Sequence, residues 1–163
     1  MAELKFDVSK VFPAQEPKRP RITLPSSGDK PRILLADTDP VYTLTLFHTL
    51  AQAGYEVVVV ENGTDAVTEL RKVDHPAVAI LQSKMPGMDG SEICERMRDA
   101  EKDVYLILGG DASESADIVS GLESGAHQYL RKSIPPEELL AHVKVGLRII
   151  SRLKAQNVEN PTG

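Results

Sequence analysis

The chain has 163 residues, a formal net charge of −5 and a pI of about 5.4, with 41% hydrophobic and 26% charged residues. That is ordinary for one soluble globular domain with extensions, and the acidic balance gives no electrostatic reason to expect nucleic acid or an anionic membrane as a partner. Cys94 is the single cysteine, no run approaches the ~18 apolar residues of a membrane span, and the N-terminus lacks an apolar signal core, so no internal disulfide, no membrane and a cytoplasmic location are expected.

Residues 1–31 read as a flexible, Pro-rich tail. They hold Pro13, Pro17, Pro20, Pro25 and Pro31, which block helix and ladder pairing. Six bases and four acids give the tail +2 and leave −7 to the rest. Leu4, Phe6 and Val8 alternate, which would suit a docking arm added to a sheet edge.

From Arg32 the pattern is regular. Ile33 to Ala36 form a short apolar run that ends in Asp37, Thr38, Asp39 and Pro40, which reads as a strand followed by a capped helix with proline in its first turn. Strands are expected over 33–36, 57–60, 77–81, 104–108 and 127–130. Helices are expected over 40–52, 65–72, from about 91, over 113–123 and over 135–155, with Asn62-Gly63 as a turn and 156–163 as a C-terminal tail. Five short strands, the first four of them apolar runs, alternating with helices imply an α/β domain over 32–155, a parallel sheet wound on both faces.

The stretches RILLADTDP, GYEVVVVENGTDAV, MPGMDG and GAHQYLRKSIPPEEL together resemble the receiver domain of two-component response regulators. The resemblance implies a flavodoxin-like doubly wound sheet of five strands. It also implies phosphoryl transfer from a histidine kinase to an aspartate ending strand 3, with Mg²⁺ held by that aspartate and two acids ending strand 1. A strand-4 hydroxyl and a strand-5 lysine would contact the phosphoryl group, the metal and lysine neutralising developing charge.

Carried over position by position, the nucleophile falls on Gln82, the two strand-1 acids on Asp37 and Thr38, the hydroxyl on Gly109 and the lysine on Lys132. Asp37 and Lys132 match; Gln82, Thr38 and Gly109 do not. A glutamine amide is neither anionic nor a usable nucleophile, and Mg²⁺ prefers anionic oxygens. The expectation is a pseudo-receiver: a degenerate pocket without catalytic residues, metal or cofactor, in which Asp37 and Lys132 pair and Gln82 bonds between them. Asp39 and Asp111 read as helix caps, and Cys94 as a buried structural thiol. His48, His75, His127 and His142 show no metal or catalytic spacing.

The last helix carries Leu140, Val143, Leu147 and Ile150 at 3, 4, 3 spacing, with further apolar residues beside them. With Tyr129 on strand 5, these are expected to form a partner surface and to allow a homodimer through the last helix. The functional expectation is a non-enzymatic signalling module acting through protein–protein contacts, with a histidine kinase or another regulator as partner. The alternatives are a stand-alone regulator phosphorylated on a substitute acid such as Asp37, and a piece of a larger regulator that has lost its output domain.

Overall fold

The computed structural model describes residues 30–111 and 115–159. Residues 1–29, which hold the docking arm and all but the last two residues of the expected 1–31 tail, and the last four residues lie outside them. Five strands and five helices alternate: β1 (Arg32–Ala36), α1 (Pro40–Gln52), β2 (Glu56–Val60), α2 (Gly63–Leu70), β3 (Val78–Gln82), α3 (Gly90–Asp99), β4 (Tyr105–Gly110), α4 (Ser115–Glu123), β5 (Gln128–Arg131) and α5 (Pro136–Glu159). All strand pairs are parallel, in the order β2-β1-β3-β4-β5. This is the flavodoxin-like order, and it places the ends of β1 and β3 side by side at the reversal point of the winding, where ligands gather in open α/β sheets.

Strand side chains alternate between faces, and here both faces are covered, so the three central strands carry apolar residues on both faces between polar ends such as Arg32 and Gln82. On one face Ile33, Leu35, Val78, Ile80, Tyr105 and Ile107 pack against Leu46 and Leu50 of α1 and Leu139, Val143 and Ile150 of α5. On the other, Leu34, Ala36, Ala79, Leu81, Leu106 and Leu108 pack against Ala66, Val67 and Leu70 of α2 and Ile93, Cys94 and Met97 of α3. Cys94 is fully buried, and burial pushes its thiol up to about 12, as expected for a structural thiol.

Three local departures from the sequence expectations have clear causes. Asn62 is not a turn residue but the cap of α2, its side chain accepting from the Asp65 amide at 2.8 Å. Gly63 then begins the helix against the MPGMDG loop: its amide donates to the Pro86 carbonyl at 2.8 Å, and a Cβ there would sit inside the Met88 carbonyl. β4 runs through both glycines, Gly109 pairing with Gln82 and Leu130. Finally, α5 continues to Glu159, four residues into the stretch read as tail.

The expected partner surface is also corrected. Val143 and Ile150 are buried in the core beneath α5, and Leu140, Leu147 and Tyr129 are half-buried and packed against core clusters. The 3, 4, 3 stripe is therefore the face α5 turns to the sheet. Among the described residues, the large apolar side chains that α5 leaves exposed are Ile149 and Leu153, about 40% exposed each. A homodimer through the named stripe would have to take these residues out of the protein's own core.

Candidate functional site

The site forms where β1, β3, β4 and β5 end together. Asp37 follows β1 and is only 3% exposed. Its Oδ1 accepts from the Lys132 ammonium at 3.1 Å and from the Asp39 amide at 2.8 Å. Lys132, just beyond β5, is itself held from a second side: Nζ lies 4.6 Å from the centre of the Tyr42 ring. A cation above an aromatic face and beside a carboxylate is fixed by both.

Tyr42 comes from the first turn of α1, which Asp39 caps by accepting from the Val41 and Tyr42 amides at 3.0 and 3.2 Å. Burial, then the carboxylates of Asp37, Asp111 and Asp39, push the Tyr42 phenol up to about 12, so it stays protonated at neutral pH. Nothing in the sequence pattern points to Tyr42. Its role comes from Lys132, far away along the chain, and short-range patterning carries no signal of that contact.

Gln82 ends β3 opposite Gly109. Its Oε1 accepts from the Thr38 amide at 2.8 Å and from the Thr38 hydroxyl at 2.9 Å. The expected bridge from Gln82 to the Asp37–Lys132 pair is thus corrected: the amide oxygen is taken by Thr38, the residue after Asp37, which offers two donors to one acceptor. Gly109 leaves its position open, with no atom closer than 3.9 Å to where a Cβ would be; one of the two atoms at that distance is the Tyr42 hydroxyl. Gly110 is the opposite case, since a Cβ there would collide with the Tyr129 hydroxyl and the Ser83 Oγ. Tyr129 also lies against Gly121 of α4, so two glycines make the slot that holds its ring.

The structure therefore brings together all five sequence-predicted pocket residues, as two separate pairs plus an open glycine. Asp39 acts as a cap. The cap role expected of Asp111 involves residues 112–114, outside those described. Among the described residues no three His, Cys, Asp or Glu side chains converge as a metal site. The Mg²⁺ that the receiver fold implies does not fit this donor set: the one buried carboxylate is bonded to an ammonium, and the neighbouring oxygen is a neutral amide already accepting two hydrogen bonds. The histidines are dispersed: His127 accepts from the Leu106 amide at 2.9 Å and stacks on Tyr105, while His75 bonds the Pro76 carbonyl at 2.8 Å.

Residues 33–144 match the family described as response regulator receiver domain. This chain belongs to that family. Among curated relatives of this receiver chain, the DNA-binding response regulator MtrA of Mycolicibacterium smegmatis is 35% identical over 117 residues, covering 72% of this chain and 50% of the relative. The "Probable transcriptional regulator ycf27" of Cyanophora paradoxa is 34% identical over 134 residues, covering 82% and 52%. Among solved structures, DrrB of Thermotoga maritima, an OmpR/PhoB homologue, superposes with a TM-score of 0.65 at 28% identity, covering 73% of this chain and 53% of that one. A CheY-like receiver domain protein from Methanospirillum hungatei gives 0.69 at 24% identity, covering 76% and 98%, and supports the fold alone.

The receiver chain spans about half the length of the curated relatives it matches. These relatives overturn the expectation that nucleic acid plays no part, because MtrA is named as DNA-binding and ycf27 as a transcriptional regulator. Net charge describes what a domain's own surface attracts over long range; it does not report what regulators built on the domain bind. Among the described residues no helix is long and apolar enough to cross a membrane.

Proposed function

We propose that this chain is a receiver-type signalling module that is not phosphorylated at the usual site and works by binding other proteins. The observation that carries this is the Gln82 side chain at the end of β3, its oxygen committed to Thr38, beside an Asp37 carboxylate committed to Lys132. Aspartyl phosphorylation needs a carboxylate nucleophile and a metal to neutralise the transferring group. Gln82 supplies no nucleophile, and the pocket's single buried anion already has its counter-ion. Asp37 does not serve as a substitute acceptor in this reading, because its charge is paired with the Lys132 ammonium and no cluster of acids among the described residues stands beside it to hold the metal. With no group poised to react, the module is non-catalytic.

The test is incubation of the full chain with radiolabelled acetyl phosphate and Mg²⁺. No base-labile label is expected. Label that survives acid and is lost in base, mapped to Asp37 or any other carboxylate, overturns the proposal.

A second reading is favoured by the relatives named as DNA-binding or as transcriptional regulators: the proteins this module regulates, or that contain it, act on DNA. A promoter array probed with the chain in complex with its captured partner tests it. Sequence-specific DNA enrichment is expected, and enrichment no greater than with random DNA contradicts it.

A further inference from the structure

We propose that the Asn62–Gly63 bond is a site of spontaneous covalent modification, closed while the MPGMDG loop lies on α2 and opened when that loop lifts, at which Asn62 becomes aspartate and isoaspartate. The sequence holds one Asn-Gly pair, Asn62-Gly63, and one Asp-Gly pair, Asp89-Gly90. Glycine has no Cβ, so the peptide nitrogen it carries is unshielded and turns freely. Such a nitrogen can close a five-membered ring on the side chain before it. One pair opens α2, and the other ends the loop that lies on it.

The step needs no co-reactant but water. The Gly63 nitrogen gives its proton to hydroxide and attacks the Asn62 side-chain carbonyl carbon. The new N–C bond forms, the C–Nδ2 bond breaks, and Nδ2 takes a proton from water and leaves as ammonia. Water then opens the succinimide at either carbonyl. One opening leaves aspartate; the other routes the backbone through the side-chain carbon as isoaspartate. Nothing is oxidised or reduced.

The fold blocks each requirement. Gly63 is buried, and its N–H donates to the Pro86 carbonyl at 2.8 Å, so a base in solvent does not reach the proton. Asn62 is extended, at φ −150° and ψ 163°. Ring closure requires the Gly63 peptide to turn out of that setting, which breaks the bond to Pro86. Asp65 clamps both ends of the Asn62 amide: Oδ1 accepts from its backbone N–H at 2.8 Å, and Nδ2 donates to its carboxylate at 3.0 Å. The Met88 carbonyl stands where a Gly63 Cβ would be, so no bulkier residue can shield the nitrogen. The reactive pair is thus built into the joint that restrains it, asparagine as the cap and glycine as the contact.

Asp89-Gly90 is held in the same way: the Gly90 amide donates to the Ser83 carbonyl at 3.0 Å, and Asp89 Oδ1 accepts from the Met85 amide at 3.3 Å. A carboxylate resists attack more than an amide does, so Asn62 reacts first. The native rate is the open-state rate multiplied by the fraction of time the joint is open. Isoaspartate adds a carbon to the backbone at the α2 cap, so a chain that has reacted does not close on the same contacts. The site stands whether or not the pocket accepts a phosphoryl group.

The full chain is aged at mildly alkaline pH, in buffer and in denaturant, and its tryptic peptides are followed by mass and isoaspartate content. In denaturant Asn62 is expected to lose its amide well ahead of Asn157, which precedes the branched Val158, and of Asn160, which precedes Pro161 and so has no N–H behind it. In buffer the Asn62 rate should fall at least about tenfold. Gly87→Ala puts a side chain on a left-handed residue beside Thr64, away from the reacting atoms, and should recover much of that factor. Asp65→Ala, at an exposed position, releases Nδ2 and should raise the native rate severalfold, with circular dichroism confirming the fold. Asn62→Ser, which keeps a capping oxygen, should abolish modification at 62. If Gly87→Ala does not fold, Asp65→Ala decides. The proposal is overturned by equal Asn62 rates in buffer and denaturant, by an Asn62 that keeps its amide in denaturant, or by folded opening variants that age no faster than wild type.

Discussion

The loop that frames the pocket and the pocket it frames have diverged. Residues 85–90 keep a set of close backbone contacts: Gly63 beneath the Met88 carbonyl, Gly87 in the left-handed region beside Thr64, and Gly90 against the Gln82 carbonyl and Leu108. At the neighbouring strand ends, the groups that the receiver resemblance assigns to chemistry are replaced or bonded to one another. The loop is held by packing that any change of volume disturbs. The pocket is held by four side chains that satisfy each other. In the proposed reading, the fold retains the whole frame of a reaction while the few atoms that perform it are exchanged.

The sharpest way to break the frame is Gly63→Ala, which puts a methyl group where the Met88 carbonyl stands. Chemical denaturation should show a loss of about 3 kcal/mol. In the pocket, Lys132→Met leaves the Asp37 carboxylate almost fully buried with no counter-ion, and should cost about 2 kcal/mol by the same measurement. Asp37→Asn, Lys132→Met together should recover much of that loss, because the cost lies in the unpaired charge.

The Tyr42 phenol gives a pH signature confined to the pocket. Its proton is held from the ordinary 10.0 up to about 12 in the folded chain. Between those values the unfolded chain releases this proton and the folded chain keeps it, so this contribution to stability is present below pH 10 and is lost as pH rises towards 12. Thermal melts across that window should fall more steeply for wild type than for Tyr42→Phe. Equal slopes would show that the phenol is not held protonated by the pocket. The smallest effect lies behind the pocket, in α1: the Thr43 hydroxyl is buried without a partner among the described residues, and Thr43→Val should gain about 1 kcal/mol.

Much of the frame could be read before the structure. The runs at 33–36 and 77–81 are apolar at every position because both faces of those strands are covered; a strand with one wet face would alternate instead. Asp37, Gln82, Gly109 and Lys132 could be placed at strand ends for the same reason. What escaped was everything decided through space. Periodicity found the apolar stripe of α5 but not which side of it the core used. Thr38 captured Gln82 because its amide and hydroxyl converge, a property of the β1 end that residue identity does not announce. Tyr42 and the slot between Gly110 and Gly121 depend on contacts across the sheet. The acidic balance, finally, spoke for the domain's own surface and carried no sign of relatives named as DNA-binding.

Gln82, Thr38 and Gly109 together silence an otherwise intact receiver frame in the proposed reading. The direct measurement is phosphoryl uptake from acetyl phosphate with Mg²⁺ by wild type and by the triple variant Thr38→Asp, Gln82→Asp, Gly109→Ser. The open space at Gly109 admits the new side chain, and Thr38 lies at the exposed rim. The expected result is no uptake by wild type and base-labile label on residue 82 of the variant. Label on wild type equal to that on the variant would contradict it.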